Sequence, residues 1–459
     1  MLITIIFGSA GTGKTTWLAH KYAELLEKYS PKEIVFLSYT KFQTRHGARK
    51  IKGVTHLNLK QLECHTLHSF AKNSCKKDIE VFHNGYYKEM SDYLGTDIEP
   101  VERGIAFMKN TMSKNDAVGA NKAGLDVKSF QKKKLFYETV KANMPGAKEF
   151  IDFSDMIERA VTQNIKSNAK VLILDEAQDF SPLHWKAIYT AFKDVEEMYV
   201  AGDPMQSLYR FHGAISNYMY EMRADETILL DEGHRCSEPI MQMARMIANK
   251  MDKWTALPTW VNMQKDNFAV FYPDNNIFPL FQAVNYSRRH GYKVACLAMT
   301  FRQLVLLKHK LLGPYSSTYP SNFISGKLKE FYKGSEDNPL IFSTVHQAKG
   351  LEFDYVLINS SFGLTDFFTD YGTKEENEQD YWRMMFVAIT RAKRGVIVCN
   401  LSNPRAGEPD CRDVLYYTRF GIEKFQKWLH KKGNEKHLIH NNEKENADWV
   451  SEITLSMLK

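Results

Sequence analysis

The chain has 459 residues, 44% of them hydrophobic, which suits two to four globular domains and excludes a largely disordered or fibrous protein. Lys and Arg number 61 against 54 Asp and Glu, a net charge of +7, so any polyanion-binding role must come from local clustering. No apolar stretch approaches membrane-spanning length, the six cysteines form no CxxC pair, and the N-terminus carries no cationic leader. A soluble protein of a reducing, cytoplasmic compartment is expected.

Leu2 to Phe7 is an apolar run broken only by Thr4, as suits a buried strand, and GSAGTGKTT follows directly at Gly8 to Thr16. Leu18, Tyr22, Leu25 and Tyr29 then recur at helical spacing. Strand, glycine-rich turn and helix in this order describe a phosphate-binding loop. Its candidate nucleotide ligands are Gly8, Gly11, Thr12, Gly13, Lys14, Thr15 and Thr16. The glycines let backbone N–H groups turn toward phosphate oxygens, Lys14 can reach the β- and γ-phosphates, and the Thr15 hydroxyl can ligate Mg²⁺.

Further strands are predicted at Ile34 to Ser38, at Lys170 to Leu174 running into DEAQD, and at Met198 to Ala201 leading into GDPMQS. Apolar strands separated by helices, with polar chemistry at their C-terminal ends, describe an α/β protein with a parallel sheet. Between about Lys72 and Phe150 helical patterns dominate, a helical insertion in the first α/β domain. Within it, Arg103 to Lys148 holds ten basic residues against three acidic ones, interleaved with Phe107, Phe130, Phe136 and Tyr137. That mixture suits a polyanion with stackable bases, against the alternative of a solvated helical face.

A second set of strands, Phe268 to Tyr272, Val294 to Ala298, Leu340 to Ser343, Tyr355 to Ile358 and Gly395 to Cys399, describes a second α/β domain without its own phosphate loop. Such a domain would close over nucleotide held by the first. Gly313 to Pro339 reads as a loop-rich connection, Asp366 to Asp380 as an acidic loop and candidate docking surface, and Asp413 to Trp428 as an amphipathic helix before a polar tail. The expected boundaries are 1–71 with 151–230, the insertion 72–150, the second domain 231–400 and the tail 401–459.

Asp175 and Glu176 follow the third strand, where Asp175 can hold Mg²⁺ and Glu176 can orient the attacking water. Gln206, past the next strand, can hydrogen-bond both γ-phosphate and water. Charge on a transferring phosphoryl group needs further cations, which Arg235 and Arg391 can supply as fingers.

In order and content these motifs resemble the UvrD/Rep-type superfamily 1 DNA helicases. The match runs through GSAGTGKTT, FLSYTK (36–41), HTLHSF (65–70), IDFSDMI (151–157), LDEAQD (174–179) and AGDPMQSLYRFHGA (201–214), then GHRCSEPI (233–240), FSTVHQAKGLEFDYVLI (342–358) and FVAITRAKRG (386–395). The resemblance implies two RecA-like P-loop NTPase domains with no large insertion in the second, ATP in the cleft between them, and single-stranded DNA across their tops. It implies that Glu352 contacts the ribose and His234 takes the place of an adenine-stacking tyrosine. Tyr39, Tyr209 and Phe211 match base-stacking positions, and Thr66, His68 and His346 match positions along the DNA path. An adenine-reading glutamine segment ahead of the loop has no counterpart, and the region after Val398, where relatives carry a strand-separating hairpin, is the short LSNPRAGEPD.

The expected function is thus a monomeric ATP- and Mg²⁺-dependent motor that moves 3′→5′ on single-stranded DNA and unwinds single/double-strand junctions. A translocase that strips nucleoprotein without efficient unwinding and a nucleotide-gated DNA-binding module are the alternatives.

Overall fold

The computed structural model describes residues 1–74, 79–81, 90–92, 97–143, 149–215, 217–251, 259–260, 267–272, 290–312, 321–323, 340–360, 373–400, 415 and 419–420. The N-terminal half runs β1 (Leu2–Gly8), α1 (Lys14–Leu25), β2 (Ile34–Ser38), α2 (Lys41–Val54), β3 (Glu63–Thr66) and α3 (Leu67–Ser74). Then come β4 (Ile79–Val81), α4 (Glu99–Asn110), α5 (Asp116–Ala123), α6 (Val127–Ala142), β5 (Glu149–Ile151) and α7 (Phe153–Thr162). It closes with β6 (Val171–Asp175), α8 (Pro182–Ala191), β7 (Glu197–Gly202) and β8 (Glu226–Leu230).

Strands β3-β2-β6-β7-β1-β8 form one parallel six-stranded sheet. Its inner strands β2 (IVFLS) and β6 (VLILD) are buried along their whole length, so their apolar runs are continuous. Helix α1 buries Leu18, Tyr22 and Leu25 on one face, each such side chain contributing about 1.5–3 kcal/mol. Every strand expected in this half is present. The edge strands β3 (ECHT) and β8 (ETILL) were not expected from sequence, because half-exposed edges carry no continuous apolar run.

The C-terminal half runs α9 (Glu238–Ala248), β9 (Phe268–Tyr272), β10 (Val294–Ala298), α10 (Phe301–Leu312), β11 (Ser321–Phe323) and β12 (Leu340–Thr344). It continues with β13 (Phe353–Asn359), α11 (Lys374–Ile389), β14 (Ala392–Cys399) and β15 (Arg419–Phe420). The second sheet has the order β11-β12-β10-β13-β14-β9-β15, parallel except for β15, which pairs antiparallel with β9. The chain is therefore an α/β protein with two sheets of RecA-like build.

Three expectations need correction. Arg419 and Phe420 are sheet rather than part of a helix over 413–428, because the edge of β9 offers unpaired backbone groups. The acidic stretch 366–380 is helical from Lys374, where Thr373 and Glu376 form a capping box. Its residues 366–372 lie outside the described residues, as do most of 313–339 and of the tail. The third correction concerns the insertion.

Strands β4 and β5 pair in parallel, so the insertion leaves and rejoins the first sheet's domain side by side. Helices α4, α5 and α6 enclose a small core of Ile98, Val101, Ile105, Met108, Phe130 and Tyr137. Phe130 and Tyr137 are 0% exposed, so they are core residues and cannot stack on bases. Several lysines of the run are also committed. Lys109 pairs with Asp155 and Glu158, Lys141 with Asp152 at 2.8 Å and Asp155 at 2.6 Å, and Lys134 with Asp116 at 2.9 Å. Lys128 and Lys132 remain exposed.

The Lys109–Lys141 cluster fastens the insertion to α7. Burial opposes ionisation of Asp152, but Lys109 and Lys141 outweigh it and hold the carboxyl well below the usual carboxylate range. A depressed folded pKa contributes stability that is full above the unfolded value of about 3.9 and is lost as pH falls through the folded value. Lys141→Met is expected to destabilise the protein by about 3–5 kcal/mol at pH 7, because it leaves buried carboxylates short of a partner. Thermal unfolding of the variant checks this, and a penalty that persists unchanged at pH 2 would refute the electrostatic cause.

Candidate nucleotide and nucleic-acid site

The phosphate loop leaves the C-terminal end of β1 and enters α1 through Gly13, whose φ of 86° only glycine adopts without strain. Gly11 (φ +80°) packs against Arg235 of the other half so closely that a Cβ there would lie 2.5 Å from the Arg235 Cβ. The His234 backbone N–H donates to the Gly11 carbonyl at 3.0 Å. Lys14 Nζ donates to the carbonyls of Gly8 at 2.6 Å and Ser9 at 3.3 Å, and Thr12 Oγ1 donates to Ser9 O at 2.9 Å. Thr16 occupies the third position of α1, and the buried Ser9 hydroxyl has no partner, an open polar atom inside the loop.

Thr15 Oγ1 donates to Asp175 Oδ2 at 2.9 Å, which joins the loop to the end of β6. Asp175 is 2% exposed, and burial together with the Glu176 charge pushes its carboxyl up to about 7. Burial also opposes ionisation of Glu176, yet Lys349 and Lys14 hold it below the ordinary value. Glu176 sits at φ 58°, left-handed for a non-glycine residue, a strain found at functional positions. Gln178 Nε2 donates to Glu176 Oε2 at 2.6 Å, fixing the carboxylate, while the Gln178 carbonyl oxygen Oε1 accepts from Asp203 N.

Gln206 bridges the two halves. Its Nε2 donates to Asp203 Oδ2 at 2.6 Å, and its Oε1 accepts from Arg391 Nη2 at 2.8 Å. Arg391 is 2% exposed and also donates to the carbonyls of Val387 and Leu351, all neutral acceptors, and burial lowers its pKa to about 10. Arg235 is placed differently from a free finger: Nε and Nη2 lie 2.7 Å from Glu352 Oε1, and Lys393 lies 2.9 Å from Glu352 Oε2. Glu352, assigned to the ribose by resemblance, is thus the counter-ion of Arg235, which itself packs against Gly11 of the loop. His234 is exposed beside them.

The expected stacking residues form one track. The Tyr39 and Tyr209 ring centroids are 4.8 Å apart, Tyr209 to Phe211 is 6.0 Å, and Phe211 to His346 is 5.3 Å. His184 links Tyr39 to His68 at 5.8 and 5.4 Å. Burial pushes His68 and His346 down to about 4, so both rings are neutral at pH 7. Tyr209 caps a single 3-10 turn, Arg210–His212, and Phe211 is its middle residue, so the two do not share a strand face. Thr66 fits its assignment less directly, since its hydroxyl accepts from Ser69 N and is 6% exposed with the residue.

Two residues were missed from sequence. Phe153, 58% exposed, meets His68 edge-on at 5.6 Å and extends the track, and its signal was the aromatic inside IDFSDMI. Lys349 is buried, with Nζ 2.7 and 2.6 Å from the Asp179 oxygens, 2.6 Å from Gln206 O and 5.2 Å from the Tyr209 centroid. It therefore touches both Gln206 and Tyr209. Its signal was a lysine inside HQAKGLEF, a type that burial excludes unless it is paired.

A phosphate loop on one sheet, a buried arginine of the second half reaching Gln206 of the first, and an aromatic track along the carboxyl edges define a two-domain P-loop NTPase. Family comparison agrees: residues 3–226 match the UvrD/REP helicase N-terminal domain and residues 322–403 the UvrD-like helicase C-terminal domain. The chain belongs to the UvrD/Rep family of superfamily 1 helicases. It is 22% identical over 451 residues to a probable DNA helicase of Mycoplasma pneumoniae, covering 87% of this chain and 81% of that one. To the ATP-dependent DNA helicase PcrA of Staphylococcus aureus it is 22% identical over 379 residues, covering 73% of this chain and 50% of PcrA. A solved structure titled "The structure of PRRSV helicase" aligns over 87% of this chain and 52% of its own at 10% identity and a TM-score of 0.36, too distant to carry an argument. Among the described residues no helix is long and apolar enough to cross a membrane.

Proposed function

We propose that the chain is an ATP-driven motor that translocates 3′→5′ on single-stranded DNA and separates duplex ahead of it. The observation that carries this reading is the Gln206 bridge. One side chain is held by Asp203 of the first domain and by Arg391 of the second, three residues before a stacking tyrosine. ATP would bind on Lys14, Thr15 and the loop amides, and closing the cleft would bring Arg391 and Arg235 to the γ-phosphate. Glu176 would orient the attacking water. Mg²⁺ suits Thr15 and Asp175, because a hydroxyl and a buried carboxylate short of positive charge are oxygen ligands that leave room for phosphates and water. When bound, it would neutralise charge on the β- and γ-oxygens. The polarity is taken from the family resemblance.

Hydrolysis of ATP measured with and without single-stranded DNA, beside strand displacement from 3′- and 5′-tailed duplexes, tests the proposal. DNA-stimulated hydrolysis with displacement from the 3′ tail alone is expected. Stimulation without displacement would favour the translocase, a reading supported by the lack of any aromatic residue in Leu401 to Asp410. Hydrolysis indifferent to DNA would refute both.

Tyr39→Ala and Phe211→Ala are each expected to weaken single-strand binding by about 1–3 kcal/mol, roughly 5- to 150-fold, with little change in nucleotide affinity. Fluorescence anisotropy on labelled oligo(dT) checks it. Unchanged DNA affinity in both would remove the track from the DNA path.

A further inference from the structure

The turn that carries Tyr209 and Phe211 is tied to the second domain at its middle residue. Arg210 Nε donates to Asp380 Oδ2 at 2.7 Å, Nη2 donates to Asn377 Oδ1 at 2.8 Å, and Nη1 lies 3.4 Å from Glu376 Oε2. All three acceptors lie in the first half of α11. Asn377 and Asp380 stand three residues apart and so share a face, and Arg383 braces Asp380 from the next turn at 3.3 Å. The far end of the same helix leads through Thr390 into Arg391, which holds Gln206. Helix α11 is thus fixed at both ends to one short segment of the first domain, 206–211, with its anchor points about 20 Å apart along the axis.

We propose that Arg210 is the latch through which α11 carries the nucleotide state of the Gln206–Arg391 contact to the base-stacking pair Tyr209 and Phe211. The inference rests on the proposed motor function and adds a positioning residue to it. A helix with intact backbone bonds moves as a rod, so a shift of Arg391 toward a γ-phosphate displaces Asp380 as well. The Asp380 side chain is 13% exposed, and breaking its pair with Arg210 would leave a largely buried carboxylate with Arg383 alone, at a longer 3.3 Å. The turn therefore follows the helix rather than releasing it. Gly213, at φ +88° with the insertion's Asn110 and Thr111 against it, gives the turn its pivot.

The test compares oligo(dT) affinity without nucleotide and with a non-hydrolysable ATP analogue, in the full chain and in Arg210→Ala, Asp380→Asn and the double variant. The wild-type ratio of the two affinities is expected to be about fivefold or more, within the usual range of coupling between sites. In each single variant it is expected to fall to within about twofold of one, with nucleotide-free affinity held within about twofold, and the double variant should be no worse than either, as partners in one contact require. Asp380→Asn keeps the shape of the side chain and carries the test should Arg210→Ala unfold. An unchanged ratio in the singles, or additive losses in the double, overturns the latch. Loss of nucleotide-free affinity in Arg210→Ala alone would make Arg210 a DNA ligand and also overturns it. A wild-type ratio of one would instead refute the motor reading, and the latch with it.

Discussion

Lys14→Ala is expected to lower the rate of ATP hydrolysis by about 10³-fold while leaving nucleotide-free binding to single-stranded DNA nearly intact. The ammonium donates to Gly8 O and Ser9 O, so it both holds the loop's shape and stands where the β- and γ-phosphates would arrive. Alanine removes the charge that develops most value in the transition state. The aromatic track, from Phe153 through Tyr39 to His346, lies on segments other than the phosphate loop and should keep its grip on bases. Steady-state hydrolysis and oligo(dT) anisotropy on the same preparation make the check. Hydrolysis within tenfold of wild type would mean that the loop is not the catalytic nucleotide site, and joint loss of both activities would indicate misfolding.

Arg391→Ala is the second large effect, about 10³- to 10⁵-fold in kcat, the range for an arginine finger. Its guanidinium is buried and bonded to neutral oxygens alone among the acceptors described above, one of them Gln206 Oε1. That arrangement leaves its charge available to a γ-phosphate across the cleft. A purely structural arginine would lower stability through unpaired carbonyls, at about 1–3 kcal/mol for each unsatisfied group, without selecting kcat over KM. Arg391→Lys separates the two roles, since it keeps a cation but loses the planar fork. A kcat reduced in both variants with nucleotide KM within a few-fold supports the finger. A rise in KM alone would reassign Arg391 to ground-state binding. Arg235 should respond more weakly, because Glu352 already holds its guanidinium.

Much of the fold was legible because parallel strands buried on both faces leave continuous apolar runs. IVFLS, KVLIL, MYVA and VACLA could each be read without neighbours, and the helix after Lys14 announced itself through Leu18, Tyr22 and Leu25. Edge strands could not, since ECHT and ETILL face solvent on part of their surface and have no such run. The basic insertion misled for a related reason. Charge density records how many lysines a segment has, not which of them are paired with Asp116 inside it or with Asp152 and Asp155 beyond it.

The sequence by itself determined the two-domain α/β plan, the phosphate loop, and the residues that would line a cleft, because these depend on local spacing: glycines within one turn, carboxylates at one strand end, aromatics within one motif. Only the tertiary structure decided which of them meet. Glu352 pairs with Arg235 across 117 positions and Arg391 reaches Gln206 across 185. Lys349 closes on Asp179 across 170 positions, and Arg210 on Asp380 across another 170. Pairings at that separation follow from how two sheets pack against each other. No local pattern encodes them, since the charge on each partner is compatible with many others until burial selects one.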